Sequence, residues 1–242
     1  MDLIATFYDS ASEDEYQCDD ESKSACCGVK DEGIIWIRRF PHVVGHWPSH
    51  IYISLVENES KQSQKKEFNV LADEIIDGVR LIPDVTQVHL VALKTNAEEN
   101  PYHLSLSRPF VLTYGMIEKF VQELRLCLKW RRRFLYTLQG LSIFINEDAT
   151  RSFLAINMIN DTTPFLHILR CVNSCMTRFQ LPAYYENPRP HVSVASSPHG
   201  TLGSIVTQSQ LDRLPSAAVE WHGIATHVAV AIGNKRFDII LK

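Results

Sequence analysis

No run of about 18 or more apolar residues occurs in this 242-residue chain, so no membrane-spanning helix is expected. The first fifteen residues lack the basic start and sustained apolar run of a secretory signal. Six cysteines are too few for a disulfide scaffold, and without such a signal they are expected to be reduced. Cys171 and Cys175 fall on one helical face among apolar residues, which predicts buried thiols, and Cys26 and Cys27 lie in the N-terminal stretch. There is no collagen period, no heptad run and no repeat at a solenoid period. A Walker loop, a Gly-rich dinucleotide motif and a Gly-x-Ser-x-Gly elbow are all missing. So are His-Glu-x-x-His and paired Cys-x-x-Cys spacings, the commoner zinc signatures.

What is present is globular in proportion: 45% hydrophobic and 21% charged residues, enough for one large domain or two small ones. The net charge of −4 is unevenly spread. Residues 1–32 hold ten acids against two lysines, and the remainder holds 22 basic against 18 acidic residues. The acidic, Ser-rich stretch 1–32 reads as a disordered tail, with structure expected to begin near Gly33. The mildly basic remainder permits a polyanionic partner without demanding one.

Hydrophobic periodicity places strands at Ile51 to Val56, Val88 to Leu93, Tyr102 to Ser107, Leu138 to Asn146, Ser152 to Met158 and His191 to Ala195. It places helices at Lys61 to Gly78, Tyr114 to Trp130 and Phe165 to Phe179, with a short one within Val206 to Leu214. Gly233-Asn234 between Thr226–Ile232 and Arg236–Leu241 predicts a hairpin. Single helices between groups of strands favour an antiparallel α+β fold.

Two strands carry the candidate chemistry. His103-Leu104-Ser105-Leu106-Ser107 and His191-Val192-Ser193-Val194-Ala195 share a pattern 88 residues apart. Strand side chains alternate faces, so each unit offers one imidazole and one hydroxyl on the face opposite its apolar residues. His-x-Ser or His-x-Thr alone is cheap: among 10 histidines about one match is expected by chance, and His199-Gly200-Thr201, beside Pro198, reads as loop. The informative feature is the pair in matching strand context. Cleaving a phosphodiester with a neighbouring hydroxyl needs one proton removed from the nucleophile and one delivered to the leaving oxygen. Histidine suits both roles near neutral pH, and a hydroxyl beside each imidazole can donate to the phosphoryl oxygens. No metal or other cofactor is needed by that scheme. His42, His46 and His50 lie four apart, but Pro41, Gly45 and Pro48 argue against a helix there, so they read as loop histidines rather than metal ligands. The run Lys129-Trp130-Arg131-Arg132-Arg133 reads as a solvated helix end, with a nuclear-import or RNA-backbone patch as the alternative.

The two facing His-x-Ser units resemble the two-histidine phosphoesterase superfamily, and further segments make the chain similar to the U6 small nuclear RNA phosphodiesterase family. Those segments are Arg39-Phe40-Pro41-His42 with Gly45 and Trp47, Asn146-Glu147 with Thr150-Arg151-Ser152-Phe153, Tyr184-Tyr185-Glu186-Asn187-Pro188, and Gly233-Asn234-Lys235 with Phe237. The resemblance covers residues 34–242, taken as a single domain. It implies a two-lobed fold with two antiparallel sheets, flanking helices and a central cleft related by a pseudo-twofold. It also implies a monomeric, nuclear, metal-independent 3′-5′ exoribonuclease that trims the oligouridine tail of U6 RNA through a 2′,3′-cyclic phosphate. In that family scheme His191 is the general base, His103 the general acid, Ser105 and Ser193 hold the phosphate, and Tyr185 stacks on a terminal base. The near-symmetric sequence also allows the two histidines to exchange roles, and Tyr184 to replace Tyr185. Ser196-Ser197-Pro198-His199 is more polar than the family pattern, which predicts an early end to the second motif strand. Two alternatives remain: a relative that opens cyclic phosphates on nucleotides or tRNA ends, and a non-catalytic RNA-binding module.

Overall fold

A computed structural model describes residues 29–31, 34–36, 40–55, 62–93 and 102–242. The acidic stretch 1–28 and Arg39 of the first family-like segment lie outside the described residues. Within residues 1–41, β1 (Val29–Asp31) and β2 (Ile34–Trp36) form an antiparallel hairpin, so regular structure begins ahead of Gly33 and inside the stretch expected to be disordered.

Residues 42–242 form one compact unit. Its strands are β3 (His46–Ser54), β4 (Val91–Ala92), β5 (His103–Ser105), β6 (Phe110–Thr113), β7 (Phe134–Ile145), β8 (Arg151–Ile159), β9 (His191–Pro198), β10 (Trp221–Ala225), β11 (His227–Ile232) and β12 (Lys235–Ile240). Period-two patterning decides their faces. On β3, Ile51 and Ile53 are fully buried in the core while His50, Tyr52 and Ser54 take the other face. The helices α1 (Gln62–Arg80), α2 (Tyr114–Leu128) and α3 (Thr163–Arg178) each lay an apolar stripe on the core, such as Phe68, Ala72, Ile75 and Val79 on α1.

All pairings are antiparallel, and the ten strands run β10-β7-β8-β9-β5-β3-β11-β12, with β4 on β9 and β6 on β3. The α+β expectation holds. The two expected sheets are joined edge to edge where β5 meets β9, at the register pair Leu104↔Val192. Antiparallel pairing carries a local twofold through such a pair, so the two motif units are related by it. The sheet also curls. β10 and β11 lie near opposite ends of the strand order, yet only Thr226 separates them. Leu241 N donates to Thr226 O, and residues 131–133 pair with Lys242, closing one side of the curl.

Three local readings change. Gly78 does not stop α1, which continues to Arg80; the Leu214 side chain lies 3.4 Å from where a Cβ would sit. β9 does not stop early: Ser196 and Ser197 are buried and continue the ladder, paired to Phe153 and Ser152 of β8. The short helix expected within Val206 to Leu214 is present as α5 (Gln208–Leu211), capped by reciprocal Thr207 and Gln210 bonds and preceded by α4 (Thr201–Ile205). His46 and His50 are strand residues of β3, not loop residues. Cys175 is buried as expected, with burial pushing its thiol up to about 12, and Cys171 is half-buried.

Candidate active site

The Leu104↔Val192 pair sets the site. Both side chains are fully buried, so the neighbouring odd-numbered residues project from the other face of the sheet. One step to either side, the antiparallel register puts His103 beside Ser193 and Ser105 beside His191. All four are half-buried. The two imidazoles are thus diagonal neighbours, with Cα atoms about 7–8 Å apart. That gap suits a phosphate held between them. Ser107 is not part of this group: its Oγ accepts from Ile51 N at 2.9 Å, a backbone role that Ala195 need not share.

His191 is held in one tautomer. Its Nδ1 lies 2.6 Å from the Arg189 carbonyl, which can only accept, so Nδ1 carries the proton and Nε2 keeps its lone pair. Its ring stacks on Phe144 at 3.7 Å between centroids and 13° between planes. The Arg189 guanidinium lies 4.7 Å from the same Phe144 ring, and Ser142 Oγ accepts from both Arg189 and Asn157. Desolvation lowers the His191 pKa, helped by the charge of His103, while the Arg189 carbonyl opposes them. The lowered pKa favours the neutral imidazole. If it is the base, the acid limb of the kcat/KM profile falls below the ordinary histidine value of about 6.5. The sign follows from the protonation state: a lowered pKa keeps the base unprotonated to more acidic pH. A steady-state pH profile checks this, and a limb above that value would contradict it.

His103 sits in a different environment. Its neighbours on β3 are His50 and Tyr52, each with a ring centroid 5.0 Å away. His50 stacks on Tyr52, and Arg236 of β12 reaches over the Tyr52 ring at 5.8 Å. Arg236 also binds Asp238 and contacts His227. His191 thus lies against the Phe144 ring and His103 against the His50 and Tyr52 rings, with an arginine over the aromatic on each side.

Tyr185 is 38% exposed and Tyr184 only 9%, so of the two Tyr185 presents its ring to solvent. Burial pushes the Tyr184 phenol up to about 12. Arg108, three residues after Ser105, stands 4.2 Å over the Tyr185 ring and pairs with Glu147 at 2.6 Å. It ties the loop leaving β5 to the segment ahead of β9. Arg108, Phe144, Arg189 and Tyr52 escape the sequence reading, and His50, read there as a loop histidine, joins them beside His103. His50 and Tyr52 were legible in principle, as the alternating polar members of β3, whereas Arg108 and Phe144 act through contacts that span tens of residues and the Arg189 carbonyl acts through a local backbone turn. Among the described residues no group of three or more His, Cys, Asp or Glu side chains is placed to share a metal ion.

The fold and the site have known counterparts. The family model HVSL, described as an uncharacterised conserved protein, matches residues 29–240. U6 snRNA phosphodiesterase 1 of Rattus norvegicus is 30% identical over 213 residues, 85% of this chain and 73% of its own length. The Homo sapiens protein of that name is 30% identical over 160 residues, 66% of this chain and 54% of its own. Kluyveromyces marxianus Usb1, solved with uridine monophosphate, superposes with a TM-score of 0.55 at 18% identity, over 80% of this chain and 98% of that one. E. coli LigT, solved with 3′-AMP, gives 0.52 at 12% identity, over 81% and 96%. At these identities the structural matches establish the fold.

Proposed function

The chain belongs to the U6 snRNA phosphodiesterase family, and from that premise we propose that it is a metal-independent 3′-5′ exoribonuclease trimming the oligouridine end of U6 snRNA. The observation that carries the reading is the diagonal pair of imidazoles, with His191 Nδ1 bonded to the Arg189 carbonyl so that Nε2 is left to accept a proton. The Nε2 of His191 takes the proton of the 2′-hydroxyl next to the scissile phosphate. The 2′-oxygen bonds to phosphorus as the bond to the 5′-oxygen breaks, and His103 gives its proton to that oxygen. A terminal uridine leaves with a 5′-hydroxyl, and the shortened RNA ends in a 2′,3′-cyclic phosphate. Ser105 and Ser193 donate to the non-bridging oxygens, where negative charge builds in the transition state. Tyr185 stacks on the terminal base, which contributes about 1–3 kcal/mol. The scheme requires His103 to enter protonated, as the acid. An RNA substrate of this kind supports a nuclear location.

The test is a 5′-labelled RNA ending in oligouridine, incubated with the full chain in excess EDTA. The expected result is a ladder that shortens from the 3′ end, with ends resistant to phosphatase. Cleavage of nucleoside cyclic phosphates with no shortening of the RNA would move the activity to the cyclic-phosphate relatives. Tight RNA binding without cleavage at any pH would reduce the protein to a binding module.

A further inference from the structure

The basic run after α2 has no part in the site above, and the structure gives it a definite shape. Arg131 O accepts from Lys242 N, and Arg133 N donates to Lys242 O, so the run is fixed against the end of β12. It is not a free extended peptide of the kind a receptor groove would read. Trp130 stays 65% exposed. The Lys242 and Lys129 ammonium groups lie 3.7 and 5.3 Å from its ring centroid. Arg132 and Arg133 are exposed beside it, and residues 124–135 contain no acid.

This platform is continuous with the site. On β12 the core takes Ile239 and Leu241, so Arg236, Asp238, Ile240 and Lys242 follow one another on the opposite face. Arg236 stands over Tyr52, next to His103. Asp238, the one acid on the path, is paired with Arg236 at 2.8 Å. From Arg236 to Lys242 the strand climbs on the order of 20 Å, the length of about six stacked nucleotides.

We propose that Trp130, with Lys129, Arg132 and Lys242, forms a second RNA subsite that grips the substrate strand about six nucleotides from the scissile phosphate. The proposal rests on the exoribonuclease reading for which end of the strand sits at the histidines. Its chemistry is that of single-strand binding surfaces: an aromatic face for a base and cations for the backbone. The charge pattern favours RNA over an apolar protein partner, because residues 124–135 hold five Lys and Arg side chains and no acid.

The experiment compares oligouridines of about 4 and about 12 nucleotides, only the longer of which spans the distance. With the full chain, Trp130→Ala is expected to raise KM for the longer RNA about tenfold and leave kcat and the shorter RNA unchanged. Trp130→Phe, which keeps a ring, restores most of the affinity. Arg132→Ala is expected to flatten the dependence of long-RNA binding on salt by about 0.7 in the log–log slope. Equal effects on both lengths, or none on either, overturn the proposal. If the wild-type protein cleaves neither RNA, the exoribonuclease reading fails, and anisotropy binding of the longer RNA still decides the subsite: unchanged affinity in Trp130→Ala overturns it. Loss of binding to phosphatidylserine vesicles in these variants, with RNA binding intact, would overturn it in favour of an anionic membrane surface.

Discussion

Replacing His191 with alanine is expected to cut turnover on an oligouridine-ended RNA by about 10²–10⁴-fold, and His103→Ala by a similar factor. Each removes one proton-transfer group, and neither histidine belongs to the apolar core: both are half-buried on the face opposite Leu104 and Val192. The fold should survive, which a thermal melt checks. His191→Ala also removes the ring stacked on Phe144, so its melting point is expected to fall more than that of His103→Ala. The two roles separate by choice of leaving group. An aryl phosphodiester of uridine leaves without help from an acid, so His103→Ala should recover most of its rate on it. His191→Ala should not, because the 2′-hydroxyl still needs a base. The reverse pattern would exchange the two roles, and near-wild-type turnover by either variant on RNA would rule out the mechanism.

Removing the hydroxyls comes next in size. Ser105→Ala and Ser193→Ala are each expected to lower kcat by up to about 10²–10³-fold, the range seen when a single donor to a developing oxyanion is lost. The register explains why both count: Ser193 lies beside His103 and Ser105 beside His191, so each hydroxyl approaches the phosphate from the far strand. The substitution removes one oxygen and fills the same space, so packing against β3 and β8 should persist. A donor used mainly in the transition state lowers kcat and leaves KM nearly unchanged; a rise in KM alone would place these serines in ground-state binding only. Threonine at Ser193 retains the hydroxyl and should recover part of the rate.

Much of the site could be read from the chain because strand alternation is a local property. His103 with Ser105, and His191 with Ser193, share a face wherever their strands lie, given that Leu104 and Val192 must be buried. The helices were equally legible, since Phe68, Ala72 and Ile75 of α1, or Phe165, Leu169 and Val172 of α3, recur at the helical period. Local signals failed where tertiary contact overrode them. Ser196 and Ser197 look like a strand end, but backbone pairing to β8 holds them in the ladder. Gly78 looks like a stop, yet α1 runs past it to Arg80, with the Leu214 side chain in van der Waals range of where a Cβ would sit.

The sequence by itself determined the antiparallel α+β class, the two motif strands, the faces of their side chains and the chemistry those groups can perform. Only the tertiary structure decided that β5 and β9 meet at Leu104↔Val192, bringing the imidazoles diagonally across one another. It alone decided that the Arg189 carbonyl fixes the His191 tautomer, that Phe144 covers that ring, and that Arg108 reaches Tyr185. Alternation and helical periodicity follow from a few bonds of backbone geometry, so composition and spacing encode them. A contact between segments 88 residues apart depends on how the whole sheet curls and closes, and no local propensity specifies that.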